Sequence, residues 1–536
     1  MPAFVGWLLI APALVLFLLS YLWPTLNLLF TSFTPEAAPG WRFLLSATYL
    51  GQLGYALSYA VLPLLILGVV APAVAWLVAR AGLVGRWAVR AALVVPLASF
   101  APTGLALLFV SRNSGESSGS SNVAEPVLTD WDGRIALVAT LGTFLLAVGV
   151  TCYLAALRGH GSTESANPWR LLLVVGALLV IVTLGVALQQ YTFVRLVDNA
   201  PGNRDLAATP MLVLHGDPRS APLAVSLLVL LGLLGLLAGF VVLRSGLRLR
   251  VDPTIRSVDD SVPLASRWPR LVGALVLAVG LVALTLLQLG PWLSEVTAGD
   301  GVPRGRYPVA SVFLVTWLVP LGTAAVQVGF AALAGFGVAV ARPIGPRSEW
   351  LLLGFAPFLL VGNGLLELSR VDPDVGPRSL VGLAPPSWIS ITAIFAFTLL
   401  FRGQLAARPR VGSGLPVRSG LPAAASGSPS GIGGLIPPAL PMFLLAVGVA
   451  LLVQAQDLVV PSLMDMGRGV VTHGQLILVR EGLLNSVRGG TPDVALGYPL
   501  WLLVPFLLGA LVMQWAYLDR VSVRLGDSVD LAGPQR

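Results

Sequence analysis

The sequence contains no lysine: all 33 basic residues among its 536 are arginine, set against 25 acids. A chain without lysine has no Walker A motif, G-x-x-x-x-G-K-[ST], so it hydrolyses no ATP through a P-loop of its own. Charge of either sign is scarce. Charged residues make up 11%, against the roughly 25% usual in soluble domains, while 56% of the chain is hydrophobic. That balance excludes an ordinary soluble globular protein and points to a membrane. The single cysteine, Cys152, excludes an intramolecular disulfide and a cysteine-based metal cluster. His160, His215 and His473 fall in three different loops and read as solvated side chains rather than metal ligands. No catalytic triad is legible, and the expectation is a non-enzymatic chain without cofactor or metal.

A membrane-crossing helix needs about 20 predominantly apolar residues. By that rule the chain has twelve candidate spans: residues 5–30, 56–79, 91–110, 135–157, 171–190 and 221–243, then 271–293, 309–341, 350–367, 386–401, 436–459 and 498–518. The first is about twice as long as a signal-peptide core and lacks a basic leader, so it reads as a retained helix. The shortest is 386–401. The predicted fold is therefore an all-α polytopic membrane protein of about twelve helices.

With the N-terminus inside, 20 arginines fall on inside segments and 13 outside. The inside clusters are Arg80, Arg86 and Arg90; Arg158 and Arg170; Arg244 to Arg270; Arg342 and Arg347; Arg402 to Arg418; and Arg520, Arg524 and Arg536. This is the positive-inside pattern, with both termini cytoplasmic and the chain in the plasma membrane. It also removes the motive for a nucleic-acid surface, the other reading of a formal charge of +8. Residues 1–243 form a first six-helix half, 244–270 an arginine-rich linker, and 271–536 a second half. Six spans precede the linker, so the halves run parallel, as in a tandem repeat or a fusion. The Gly/Ser/Pro-rich stretches 111–121 and 412–434 bury little apolar area and read as flexible.

Polar residues within spans are costly in hydrocarbon and tend to face a bundle interior. Asn27, Gln288, Gln327, Asn363, Glu367 and Gln514 are isolated examples. Two clusters each end the fifth span of their half: Gln189-Gln190-Tyr191, and Gln454, Gln456 and Asp457. Amides donate and accept without carrying charge, which suits a neutral polyhydroxylated solute, and Tyr191 offers an aromatic face. These six residues are the pathway candidates, weighed against plain interhelical hydrogen bonding, at about 0.6 kcal/mol per bond. Gly235-x-x-x-Gly239 and Ala331-x-x-x-Gly335 read as packing alone.

At these residues the chain resembles the permease subunits of binding-protein-dependent carbohydrate ABC importers, of the maltose-transporter type. LIAPALVLFLLSYLWPTLNLLFTSFT looks like that family's first helix, with its break at Trp23-Pro24. Trp76 to Phe109 is similar to the helix, Gly-Arg turn and proline-bearing helix that follow, and Pro201-Gly202-Asn203 resembles an exterior segment. In the second half, VQAQDLVVPSLM resembles the Trp-Asn-Asp-Phe-x-x-Pro-Leu segment, with Gln456-Asp457-Leu458 and Pro461 at matching places. The resemblance implies two permease subunits fused in tandem around one path. Its implied partners are cytosolic ATP-binding subunits, an extracytoplasmic solute-binding protein and membrane lipid.

The family's coupling loop carries Glu-Ala-Ala followed by glycine. Its nearest echo here is Glu164-Ser165-Ala166, and the second half has Gly, Pro and Ser where a docking helix would stand. Two alternatives stay open: a permease-derived protein with a structural or regulatory role, and a twelve-helix secondary transporter.

Overall fold

The computed structural model describes residues 2–115, 132–160, 168–190, 192–193, 219–252, 264–298, 309–367, 387–406, 432–457, 472 and 498–526. Among them, nine helical stretches are long and apolar enough to cross a membrane: Ala3–Ser32, Ala47–Ala79, Gly133–Arg158, Trp169–Leu188, Ser220–Arg244, Trp268–Ser294, Ala310–Ala341, Ile436–Ala455 and Leu500–Leu518. The chain is an all-α polytopic membrane protein. Helices prevail because hydrocarbon offers no partner for a backbone N–H or C=O, and a helix satisfies both internally.

In chain order, the first span comprises α1 (Ala3–Phe17) and α2 (Trp23–Ser32), joined through a π turn at Leu18–Leu22. Pro24 has no N–H for the carbonyl of Ser20, and the helix widens just before it. After α3 (Ala38–Leu44), the second span runs through α4 (Ala47–Ser58), α5 (Val61–Leu65) and α6 (Ala71–Ala79), with a second π turn, Ile66–Val70, ahead of Pro72. The third expected span is divided into α7 (Gly82–Ala98) and α8 (Pro102–Gly115). Pro102 disfavours the helical conformation at Ala101. Next come α9 (Asp132–His160), α10 (Pro168–Leu188) and α11 (Ser220–Arg244), then strand β1 (Arg248–Val251).

The second half opens with α12 (Leu264–Ala298) and α13 (Val309–Phe336), the latter ending in a π turn at Gly337–Ala341. Arg342 closes that turn at φ 47°, the left-handed conformation that ends many helices, and its N–H reaches the carbonyl of Gly337 at 3.0 Å. The expected span 350–367 is not one helix. It is a 3-10 turn Gly345–Leu351, α14 (Leu352–Phe355), a further 3-10 turn Ala356–Phe358, a non-helical link, and α15 (Asn363–Glu367). Then come α16 (Ile391–Ala406), 16 residues long, α17 (Ile436–Ala455), α18 (Leu500–Val512) with a π turn Met513–Leu518, and β2 (Val521–Arg524).

The all-α expectation omitted the ribbon. β1 and β2 pair antiparallel, Arg248 opposite Arg524 and Val251 opposite Val521. The stretch 407–431, most of the second Gly/Ser/Pro run, lies outside the described residues, as does 116–131.

Packing repeats between the halves. α6 lies on α9 in the first half, and the corresponding α13 lies on α16 in the second. Across the halves the exchange is reciprocal: α11 packs on the turn Ala356–Phe358, and α18 packs on α7. Each terminal strand does the same, β1 lying against α16 and β2 against α9. The first spans also cross over, α1 onto α13 and α12 onto α7. Both turns into the third span carry a positive-φ glycine, Gly82 after Arg80 and Gly345 after Arg342.

The ends expected to share the basic side do meet at one end of the bundle. Gly6 lies against Pro343, Arg402 pairs with Glu349 at 2.7 Å, and Gly403 lies against the backbone of Leu249 in β1. Exposed Trp7, Trp76, Trp169, Trp268, Trp350 and Trp515 stand near these ends, with the guanidinium of Arg80 3.7 Å from the Trp76 ring centroid. Such a belt marks a membrane–water boundary.

Small residues set the closest approaches, as lipid-embedded helices require. A Cβ on Gly235 would collide with the carbonyl oxygen of Ala356, and one on Gly335 would lie 2.7 Å from Cβ of Phe397. Both motifs read as packing are therefore in use as packing. Gly235→Ala is expected to cost about 1–3 kcal/mol, because the obstacle is backbone and cannot rotate away. Gly273→Ala, with nothing within 4 Å of the new methyl, is the matched control and should unfold at the wild-type temperature.

Candidate functional site at the seam between the halves

Gln189 ends α10 in the first half. Its Nε2 donates to the carbonyls of Gly185 (2.9 Å) and Leu360 (2.7 Å), and its Oε1 accepts from the N–H of Gly362 (2.6 Å). The break between the turn Ala356–Phe358 and α15 frees one carbonyl and one N–H, and this one amide answers both. Gln190 is half-buried beside it, and Tyr191 lies outside the described residues.

Asn363, one residue beyond Gly362, accepts from the hydroxyl of Ser387, and the Ser387 carbonyl accepts from Nε2 of Gln327. Gln327 Oε1 accepts from Nε2 of Gln454 at 2.7 Å, and Gln454 Oε1 from the hydroxyl of Thr323 at 2.9 Å. The Gln454 cluster thus belongs to a string of amides and hydroxyls in the second half that ends at Asn363, one residue from the Gly362 N–H that Gln189 accepts. From the first span, Ser20 and Tyr21 in the π turn join it: Ser20 Oγ accepts from the N–H of Trp388 (3.2 Å), and Tyr21 donates to the carbonyl of Ile389 (3.1 Å).

Gln456 is buried, its backbone carbonyl accepting from Thr103 at 3.1 Å, and Asp457 is half-buried at the end of the same helix. Gln288 of α12 accepts from Thr143 of α9 at 2.7 Å. Gln189, Gln288 and Gln514 bond across the halves, whereas Gln327, Gln454 and Asn363 bond within the second.

A second polar group lies at the arginine-rich end. Asp519, just past the π turn of the last span, has no exposed surface. Its Oδ1 meets Arg86 Nε at 2.9 Å, Arg90 Nε at 3.1 Å and Arg158 Nη1 at 3.5 Å, and its Oδ2 accepts from Trp87 Nε1 at 3.2 Å. Gln514 extends the group, accepting from Arg90 at 2.7 Å and donating to Thr151 at 3.3 Å. All the arginines come from the first half and the carboxylate from the second. Nearby, Asp252 pairs with Arg250 (3.0 Å) and Arg524 (3.4 Å) across the ribbon. Burial, and then the neighbouring Arg524, lower the Arg250 guanidinium.

The arginines served the sequence reading only as markers of sidedness, and their shared partner was missed. Glu164, Ser165 and Ala166, the coupling-loop candidates, lie outside the described residues, as do His215 and His473. Among the described residues no group of three or more His, Cys, Asp or Glu side chains could hold a metal ion.

Comparison with protein families, curated proteins and solved structures finds no match. Fold and site define the class: a polytopic helical membrane protein of two reciprocally packed halves, with a polar seam between them.

Proposed function

We propose that this chain is the transmembrane permease component of an ABC-type importer, two permease subunits in one polypeptide. It carries a sugar or related polar solute and leaves ATP hydrolysis to separate cytosolic subunits. In this reading the chain crosses the plasma membrane twelve times. The divided segments Gly82–Gly115 and Gly345–Glu367 and the short α16 supply the three crossings beyond the nine long ones, and the arginine-rich end faces the cytoplasm. It is not itself an enzyme. An extracytoplasmic solute-binding protein delivers solute to the seam.

The observation that carries this reading is the reciprocal exchange between halves: the sixth span of each packs on the third span of the other, and the neutral amides of Gln189 and Gln288 bond across the join. Two parallel, equivalent halves around one join are what a single alternating path requires. Neutral hydrogen-bonding groups there match an uncharged, hydroxyl-rich solute better than an ion.

The test is purification of the full chain from its native membrane in mild detergent. A cytosolic ATPase should co-purify, and its ATP turnover should rise on reconstitution with the chain. If none accompanies it, ATP-coupled import is wrong. One observation favours the second reading, a permease-derived protein without transport: both N–H donors of the Gln189 amide and one lone pair of its oxygen are engaged by protein groups, leaving a solute a single acceptor position.

A further inference from the structure

We propose that the arginine face of the β1–β2 ribbon binds a phosphate group, carried by an anionic lipid headgroup or by a soluble phosphate. The proposal does not depend on whether a solute is carried.

The ribbon is amphipathic with a period of two. In its register Leu249 stands opposite Val523 and Val251 opposite Val521, and these four side chains pack into the apolar core. The other face carries Arg248, Arg250 and Asp252 from the first half, and opposite them Arg524, Ser522 and Arg520 from the second. Asp252 continues the ladder, its N–H donating to the carbonyl of Arg520 at 2.9 Å.

Four guanidiniums therefore share a face with one carboxylate. Arg248 and Arg524 stand directly opposite in the ladder, where like charges destabilise a strand pair. Asp252 divides its oxygens among Arg250 at 3.0 Å, Arg524 at 3.4 Å and the hydroxyl of Ser522 at 3.0 Å. Arg520 makes no ion pair among the described residues, and its Nε is buried without a hydrogen-bond partner, as is that of Arg524. Arg158 of α9 adds a fifth cation, close enough to interact with both Asp252 and Arg520. The nearby carboxylate of Asp519 is already shared by Arg86, Arg90 and Arg158.

Partly buried cations in such excess over carboxylates call for an anion. The paired N–H groups of a guanidinium match two oxygens of a phosphate, and a phosphate has further oxygens for a second guanidinium. Access separates this face from the Asp519 group. The side chains of Arg250 and Arg524 are 30% and 26% exposed, against 5% and 2% for Arg86 and Arg90. Basic pockets at the cytoplasmic ends of membrane helices are where anionic headgroups bind.

The experiment follows thermal unfolding of the full chain by tryptophan fluorescence, after delipidation into dodecyl maltoside without phosphate. Phosphatidylglycerol, phosphatidylcholine and inorganic phosphate are added separately at matched ionic strength. Phosphatidylglycerol or inorganic phosphate should raise the unfolding temperature, and phosphatidylcholine should not. A rise with the lipid alone assigns the headgroup, and a rise with inorganic phosphate assigns the soluble anion. Arg520→Gln should need at least tenfold more of the active probe for the same rise, while Arg347→Gln, an exposed arginine outside the ribbon, should need no more than the wild type. Without any probe, Arg520→Gln should unfold at or above the wild-type temperature, because it removes a like charge; a lower temperature would mean that Arg520 already has its counter-charge, against the proposal. No rise with either phosphate overturns it, and so does an Arg347→Gln response as weak as that of Arg520→Gln, which would make the effect a general one of surface charge. A rise that appears only after Asp527→Asn with Asp530→Asn would show that the chain's own acids fill the face, and the site would fall.

Discussion

Replacing Asp519 by Asn is expected to destabilise the protein by about 3–5 kcal/mol, the cost of removing one partner from a buried charged group. The side chain has no exposed surface, and three guanidiniums meet its oxygens within 3.5 Å. Asparagine keeps the shape and an acceptor but removes the charge, so Arg86 and Arg90 stay buried without it. Truncating an arginine costs less, because the remaining cations keep the carboxylate. The order should be Asp519→Asn worst, then Arg90→Ala, which also frees Gln514, and Arg158→Ala mildest at its longer 3.5 Å. Thermal unfolding in detergent reads this directly. Cys152, the only thiol, packs against the core and becomes available to a thiol-reactive fluorophore when the chain opens. An Asp519→Asn protein unfolding at the wild-type temperature would mean that the arginines find other anions.

The long apolar helices lay close to the surface of the sequence, because an apolar run of sufficient length is a local feature. The nine long helices fall within or around nine of the expected runs. Less local features escaped. β1 and β2 are four residues each, each just past the sixth span of its half, and nothing in Arg248–Val251 announces a partner beyond the last span. Asp519 follows an apolar run and precedes Arg520, so by composition it belongs in an exposed turn. Its burial comes from α7 and α9 arriving from the other half. Gln189 was legible as an intramembrane amide but not as a backbone clamp, since its recipients exist only because the segment Gly345–Glu367 fails to form one helix. Pro357 and Gly362 hinted at that failure without saying which side chain would answer it.

Gln189→Leu is the sharper test of the seam, with an expected loss of about 2–4 kcal/mol. Interhelical side-chain bonds in membranes average only about 0.6 kcal/mol, because the separated helices find other partners. That average does not apply here. The carbonyl of half-buried Leu360 and the N–H of exposed Gly362 lie in a non-helical link, so without Gln189 each loses its hydrogen bond, at about 1–3 kcal/mol where hydrocarbon rather than water is the alternative. Gln189→Glu separates the two contributions: carboxylate oxygens still accept from Gly362 but donate nothing to Leu360, so roughly half the loss should remain. A loss near 0.6 kcal/mol for the leucine variant, in the same fluorophore assay, would mean that the link repairs itself by reforming helix. It would then be a flaw easily mended rather than a built feature of the seam. A loss of the expected size, with tighter packing failing to restore it, ties the seam between the halves to this one amide.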